Sequence, residues 1–269
     1  GPEFFRARGD VVCPRAVLVD AEPKVVEGLL GNRAFHFDST STATTQSGRG
    51  GNFALGYAGE ALGGASALDG SPEPLWAKAM DRLRLQVEGC HGQHLGTFLA
   101  HSLGGGTGSG LGVRLAEEVR DSYPKSSLMA TSILPISSGE NPMQSYNALL
   151  ALSCLQELVD GVVLYENDSL LSAVDTDAPQ EHGASLASMN SVLVRDIIPH
   201  FTCGTPFHLG EVLAATVPVP NHKFVQTFSG EVLSSNGLPS STKPVMDALR
   251  RLPRSVRNSC NVIAGRGVV

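Results

Sequence analysis

Residues 104 to 110 hold five glycines, with only Thr107 and Ser109 between them. Such a run loses more chain entropy on folding than ordinary residues do, so something must require a bare backbone. Closely spaced bare amides are donors for an anion, and the two hydroxyls add further donors. The run lies between an apolar segment, LGTFLAHS at 95–102, and a segment of helical spacing, LGVRLAEEVRDSY at 111–123. A strand–loop–helix order sets the amides at a helix N-terminus, where peptide dipoles favour negative charge. The chemistry indicated is phosphate binding; the plain alternative is a flexible turn.

Two common phosphate loops do not fit. A Walker A loop ends in Gly-Lys-Ser/Thr, and no lysine stands near Gly110. The dinucleotide fingerprint needs G-x-G-x-x-G, whereas Gly106, Gly108 and Gly110 alternate. The formal charge is −6 and the pI about 5.7, which argues against non-specific binding to nucleic acid or to an anionic membrane surface. A phosphate ligand is therefore expected to rest on backbone amides and a metal ion more than on Lys and Arg. Five widely spaced cysteines without a CxxC pair indicate free thiols in a reducing compartment. No signal peptide or membrane-spanning run is visible. The pair His91 and His94 in HGQH is a weak zinc pattern and reads as two solvated loop histidines. Residues 1–4, GPEF, are set aside from fold reasoning.

The elements that must position these groups follow from periodicity. Strands are expected at 15–23 (RAVLVDAEP), 95–102, 127–135 and 162–167. Between them, helices are expected over PEPLWAKAMDRLRLQVEG, with Trp76, Met80, Leu83 and Val87 in register, over 111–123, and over 146–160, with Leu149, Leu152, Leu155 and Val159 in register. Alternation of this kind predicts a parallel sheet covered by helices. The polar stretches 20–22, 104–110, 137–141 and 166–167 all follow strands and should line one edge, where ligands of such sheets bind. Further on, helices are expected near 184–198, 208–217 and 243–252, and strands at KFVQTF (223–228) and CNVIAGRGVV (260–269). Their looser alternation predicts a second, α+β unit from about 205.

GGGTGSG resembles the signature loop of the tubulin/FtsZ superfamily of GTPases. RAVLVDAEP is similar to the second strand and following loop of tubulins. TQSGRGGNFALGY resembles the loop that reaches the terminal phosphate, and YNALLALSCLQEL the helix after the fifth strand. AVLVDAEPKVV, LYENDSLL and GTPFHLGEVLAATVPVP look most like the delta-type branch, with epsilon-type tubulins the neighbouring alternative. The resemblance implies an α/β fold: a Rossmann-like GTP-binding domain over 5–204, lacking the family's first strand and helix, then an incomplete α+β second domain over 205–269. Because that first strand is central in the family's sheet, a gap between its neighbours is expected.

The resemblance also assigns roles. Phosphates of GTP or GDP fall to Gly104, Gly105, Gly106, Thr107, Gly108 and Ser109, and to Gly48, Gly50, Gly51 and Asn52, with Arg49 an unusual addition to that loop. Asp20 and Glu22 are implied near Mg²⁺. Glu140 and Gln144 face the ribose. Asn167 and Asn190 read guanine, and Leu186 stands where an aromatic ring usually stacks. Glu211 matches a catalytic acid offered to the next subunit's nucleotide, although Pro206 and His208 depart from the pattern around it. Loop 229–241 matches a lateral-contact loop. The implied partners are other tubulin subunits, alpha/beta or self, through longitudinal and lateral contacts, with no nucleic acid and no membrane. The implied setting is the cytoplasm and cytoskeleton, at centrosome, centriole and ciliary basal body. Two rival readings are a partner module that holds nucleotide without polymerising or hydrolysing it, and a metabolic α/β enzyme, for which no compact His or Lys constellation stands out.

Overall fold

The protein is described by a computed structural model over residues 4–8, 11–31, 36–37, 39–59, 73–89, 94–139, 141–177, 186–202 and 209–227. Glu140, His91, Pro206, His208, loop 229–241, the helix expected at 243–252 and the strand expected at 260–269 lie outside those residues.

A short antiparallel hairpin opens the chain, β1 (Phe5–Arg8) against β2 (Val11–Pro14). Next come β3 (Leu18–Asp20), α1 (Pro23–Leu30) and β4 (Thr42–Thr44), with β3 and β4 paired in parallel. Pro23 suits the first turn of α1, where its missing N–H has no intrahelical partner to lose. After α2 (Phe53–Ala58) and α3 (Leu75–Glu88), a parallel sheet is built from β5 (Gly96–Ser102), β6 (Ser127–Leu134), β7 (Gly161–Glu166) and β8 (Phe224–Gln226), in that order. Among the described residues, no strand ladder joins this sheet to the β3–β4 pair.

The helices are α4 (Gly112–Ser122), α5 (Gln144–Leu158), α6 (Asn167–Asp177), α7 (Leu186–Thr202) and α8 (Leu209–Thr216). Strand side chains alternate between faces, and β6 shows the result. Leu128 and Ala130 pack with Val113, Ala116 and Val119 of α4 and Ala148, Ala151 and Leu155 of α5. Met129, between them, packs instead with Leu170 and Val174 of α6, Met189 and Val192 of α7, and Leu209 and Leu213 of α8. The sheet is thus covered on both faces, and a leucine buried as fully as Leu128 or Leu155 contributes about 1.5–3 kcal/mol. A third cluster, Ala21, Ala43, Leu75, Ala79 and Leu111, fastens β3–β4 to α3 and α4. Arg114 of α4 lies over the Trp76 ring of α3 at 4.9 Å and the Tyr57 ring of α2 at 5.6 Å. The Tyr57 hydroxyl donates to Glu117 at 2.7 Å. These contacts brace α2 against the layer beneath it.

Some expectations shift. The strand read over 15–23 forms β3 only at its centre, and its last residue, Pro23, begins α1. Helix α5 was expected to bury Leu149, but that side chain is 67% exposed; the inward face carries Asn147, Ala148, Ala151 and Leu155. This helix is apolar nearly all round, so periodicity alone does not choose a face. Small alanines and the hydrogen bonds of Asn147 choose it. β8, from the KFVQTF segment, pairs in parallel with β7 and extends the same sheet.

Candidate functional site

The loops after β3, β5, β6 and β7 gather at the carboxyl edge of the strands, as the order of elements requires. The Gly104 amide donates to the Ser102 hydroxyl at 3.4 Å, and the Ser109 amide closes the first helical turn by donating to the Gly105 carbonyl at 3.1 Å. The Ser109 hydroxyl donates to the same oxygen at 2.5 Å. Amides 106 to 108 therefore lie ahead of the first closed turn, the usual position for helix-end amides that await an outside acceptor. The turn continues as a wide π turn, Thr107–Leu111, into α4. Wide turns of this type concentrate at functional sites.

Within the run, the glycines do two different jobs. A Cβ on Gly106 would lie 2.7 Å from both backbone N and O of Asn52. One on Gly108 would lie 2.1 Å from the Ser102 carbonyl, and one on Gly110 2.1 Å from the Phe53 carbonyl. These three positions are bare because backbone packs on backbone. Gly105 is different: it is exposed, and a Cβ there would meet nothing within 4 Å. The open part of the cradle is at Gly105.

The second glycine loop, 48–52, runs alongside. Gly50 and Gly51 sit at φ +55° and +64°, the left-handed region that glycine tolerates best. The Glu22 carboxylate comes to 3.9 Å from where a Gly48 Cβ would be, which brings that acid against the loop. Asp20, two residues earlier, accepts from the Glu22 amide at 3.1 Å and so tightens the turn after β3. Asn52 caps α2, its side-chain oxygen accepting from the Ala54 amide at 2.8 Å. Its side chain is thus committed to the helix, and only its backbone faces the Gly106 turn.

What fastens the two loops together was not singled out in the sequence. Asn147 of α5 is 1% exposed. Its amide nitrogen donates to the Gly51 carbonyl at 2.7 Å and the Gly104 carbonyl at 2.9 Å. Its oxygen accepts from the Phe53 amide at 2.9 Å. One side chain thus spends its donors on both loops and its acceptor on the start of α2. Asn141 adds a longer bond to the Gly51 carbonyl at 3.4 Å. The available signal was an asparagine, YNALL, inside an otherwise apolar helix, where Asn is disfavoured unless it has a polar task.

The remaining expected residues are placed as follows. Gln144 donates to the Ile136 carbonyl at 2.8 Å and so organises the loop after β6. Asn167 begins α6, and its neighbour Asp168 accepts from the Ser137 amide at 2.9 Å, joining the loops after β6 and β7. Leu186 and Asn190 lie exposed on α7; among the described residues no hydrogen bond ties either to the loop cluster. Glu211 is exposed in the first turn of α8. Its neighbours Leu209 and Gly210 lie against Gly96 and Ser127, the first residues of β5 and β6. That is the amino edge of the sheet, about 20 Å from the loops across a strand the length of β5. Within one chain Glu211 cannot reach the loop cluster.

Among the described residues, no group of three or more His, Cys, Asp or Glu converges as a metal site. Asp20 and Glu22 form a two-carboxylate edge, which fits a hard cation that keeps its waters and takes phosphate oxygens as its other ligands. His94 packs on Tyr123 with ring centroids 4.8 Å apart and shares a hydrogen bond with Thr97, a packed role rather than a ligand's. Among the described residues, no helix is long and apolar enough to cross a membrane.

Two histidines make stability depend on pH. Burial pushes the His101 imidazole below its ordinary value, opposed in part by its bond to the Gly108 carbonyl, and burial lowers His94 as well. The folded chain keeps both neutral where the unfolded chain is already protonated. Stability is complete above the ordinary histidine value of about 6.5 and falls as pH drops below it, with a slope of up to about 1.4 kcal/mol per unit for His101. The urea midpoint is expected to be lower at pH 5.5 than at 7.5, and His101→Asn should flatten the dependence. An unchanged slope in that variant would refute a buried neutral His101.

Comparison with known proteins agrees with this geometry. Residues 2–175 match the Tubulin/FtsZ family, GTPase domain. The chain is 28% identical over 275 residues to the tubulin delta chain of Macaca fascicularis and to that of Homo sapiens. It is 28% identical over 278 residues to the tubulin delta chain of Mus musculus. Each alignment covers 97% of this chain and 58% of the relative, so the chain spans somewhat over half the length of the curated relatives it matches.

Proposed function

The chain belongs to the tubulin/FtsZ family through its GTPase domain, and from that footing we propose that it is a guanine-nucleotide-binding cytoskeletal subunit of the delta type. The observation that carries the reading is the meeting of the 48–52 and 104–110 loops over Asn147, with Gly105 left open between them.

In this reading the amides at 105–108 and the Thr107 hydroxyl hold the phosphates of GTP or GDP. The Gly48–Gly51 backbone faces the terminal phosphate, and Asp20 and Glu22 hold the waters of Mg²⁺, which would neutralise phosphate charge. Gln144 and Glu140 take the ribose side, and Asn167 and Asn190 the guanine. Glu211, at the far edge, would orient water only at the nucleotide of a neighbouring subunit, so hydrolysis requires assembly with other tubulin subunits, alpha/beta or self, by longitudinal contact. Centriole and basal-body microtubules are the proposed setting. One observation favours a second reading, in which the chain holds nucleotide as a non-hydrolysing partner of other tubulins: Leu186, at the stacking position, is an aliphatic side chain 75% exposed.

The test is nucleotide uptake. The purified chain, with Mg²⁺, is expected to carry or take up GTP or GDP, identified by chromatography after denaturation. Gly105→Glu leaves packing untouched, because open space surrounds that position, but sets a negative charge in the cradle. Affinity for GDP should fall at least about tenfold, the equivalent of about 1.4 kcal/mol. A wild-type chain that takes up no guanine nucleotide, or a variant that binds as well as wild type, would sink the reading.

A further inference from the structure

His101 and Ser132 stand beside each other in the β5–β6 register, on the sheet face beneath the glycine-rich turn. Both are buried, His101 9% exposed and Ser132 fully enclosed. The ring's Nδ1 lies 2.7 Å from the Gly108 carbonyl and its Nε2 2.8 Å from the Ser132 hydroxyl. A carbonyl only accepts, so Nδ1 carries the proton and Nε2 accepts from Ser132.

We propose that His101 is a positioning residue for the phosphate-facing loop: held by Ser132, its ring N–H pins the Gly108 carbonyl and fixes the wide turn from which the loop amides project. The pinning stands on geometry alone; only its consequence for ligand affinity rests on the nucleotide reading above.

The surroundings fit this role and no looser one. A Cβ on Gly112 would lie 2.6 Å from His101 Nδ1, so the ring fills the space that this glycine leaves. Gly108 is itself pressed against the carbonyl of Ser102, the residue that follows His101 on β5. The turn therefore rests on β5 through bare backbone at one point and through the imidazole at another. A π turn is a strained exception in a helix, and an outside donor on one of its carbonyls offsets that cost. The Gly108 carbonyl selects the tautomer, since a ring with its proton on Nε2 would present a lone pair to that oxygen, and the Ser132 hydroxyl, free to donate, satisfies Nε2.

Two isopolar variants separate pinning from mere packing. In His101→Asn the amide nitrogen takes the place of Nδ1 and can still donate to Gly108. In His101→Gln the amide falls at the place of Nε2, meeting Ser132 and leaving Gly108 without its donor. Amide hydrogen exchange of the peptide 103–113 in the nucleotide-free chain is expected to be near wild type for Asn and about tenfold faster for Gln, the loss of one net hydrogen bond. GDP titration by calorimetry should rank the variants the same way. Equal exchange in the two variants, or wild-type exchange in Gln, would overturn the proposal. Should neither variant fold, ¹⁵N spectra of histidine in the wild-type chain decide it: an Nδ1-protonated His101 supports the pinning, and an Nε2-protonated ring refutes it. A wild-type chain that binds no GDP defeats the nucleotide reading while the exchange comparison still decides the role of His101.

Discussion

Asn147→Leu is expected to lower the unfolding free energy by about 3 kcal/mol, because leucine keeps the volume and removes every hydrogen bond. Left behind are the Phe53 amide and the Gly51 and Gly104 carbonyls. A group left without a partner inside a protein costs about 1–3 kcal/mol. The sum is held down because Asn141 still reaches the Gly51 carbonyl, at 3.4 Å. The loss should appear as a lower urea midpoint with an unchanged slope, the sign that stability and not compactness has changed. Ligand affinity should fall as well, since both glycine loops lose a shared anchor. A destabilisation below about 1 kcal/mol, no more than the average point substitution, would show that water or backbone movement replaces Asn147 easily and that it is not the fastening.

The second large effect is a contrast between two glycines. A Cβ on Gly56 of α2 would lie 1.9 Å from the Gly106 carbonyl oxygen and 3.0 Å from the Gly110 Cα. Both obstacles are backbone, so no rotamer relieves them, and α2 must retreat by roughly 1.5 Å to reach an ordinary contact distance. Gly56→Ala is expected to cost about 1–3 kcal/mol or more. Gly28, in α1, has nothing within 4 Å of its notional Cβ. There the same substitution should stabilise by about 0.5–1 kcal/mol, through helix propensity and a less free unfolded chain. Thermal unfolding of the two variants reads both signs at once. A neutral Gly56→Ala would mean that the packing of α2 on the glycine-rich turn is loose.

The parallel sheet and its covering helices were legible because β5, β6 and β7 are apolar runs separated by helical repeats. Short elements were not. β4 occupies three residues, Thr42–Thr44, in a Thr/Ser stretch that offers no alternation, and α2 has only six residues, too few to show a helical period. The two glycine loops were visible in the sequence, yet the reason for most of their glycines was not. Gly106, Gly108 and Gly110 answer to neighbours 50 or more positions away, or to a strand end, rather than to a ligand directly. Asn147 and His101 were hidden for a related reason. Their importance lies in backbone atoms contributed by other segments, and a sequence read by period and motif does not reveal which carbonyl faces which side chain.

The separation of β3–β4 from the four-stranded sheet has a consequence for how the molecule opens. A continuous ladder would transmit loss of order from strand to strand; here the connection consists of side chains, the Ala21–Leu111 cluster and the Arg114 stack. The two parts are therefore expected to open with separate free energies, which native-state amide exchange would read as two levels of protection. The smaller carries Asp20 and Glu22, the larger the glycine-rich turn, and the segment 48–52 runs between them. Partial opening of the smaller unit would dismantle one wall of the loop cluster while the central strands stay folded.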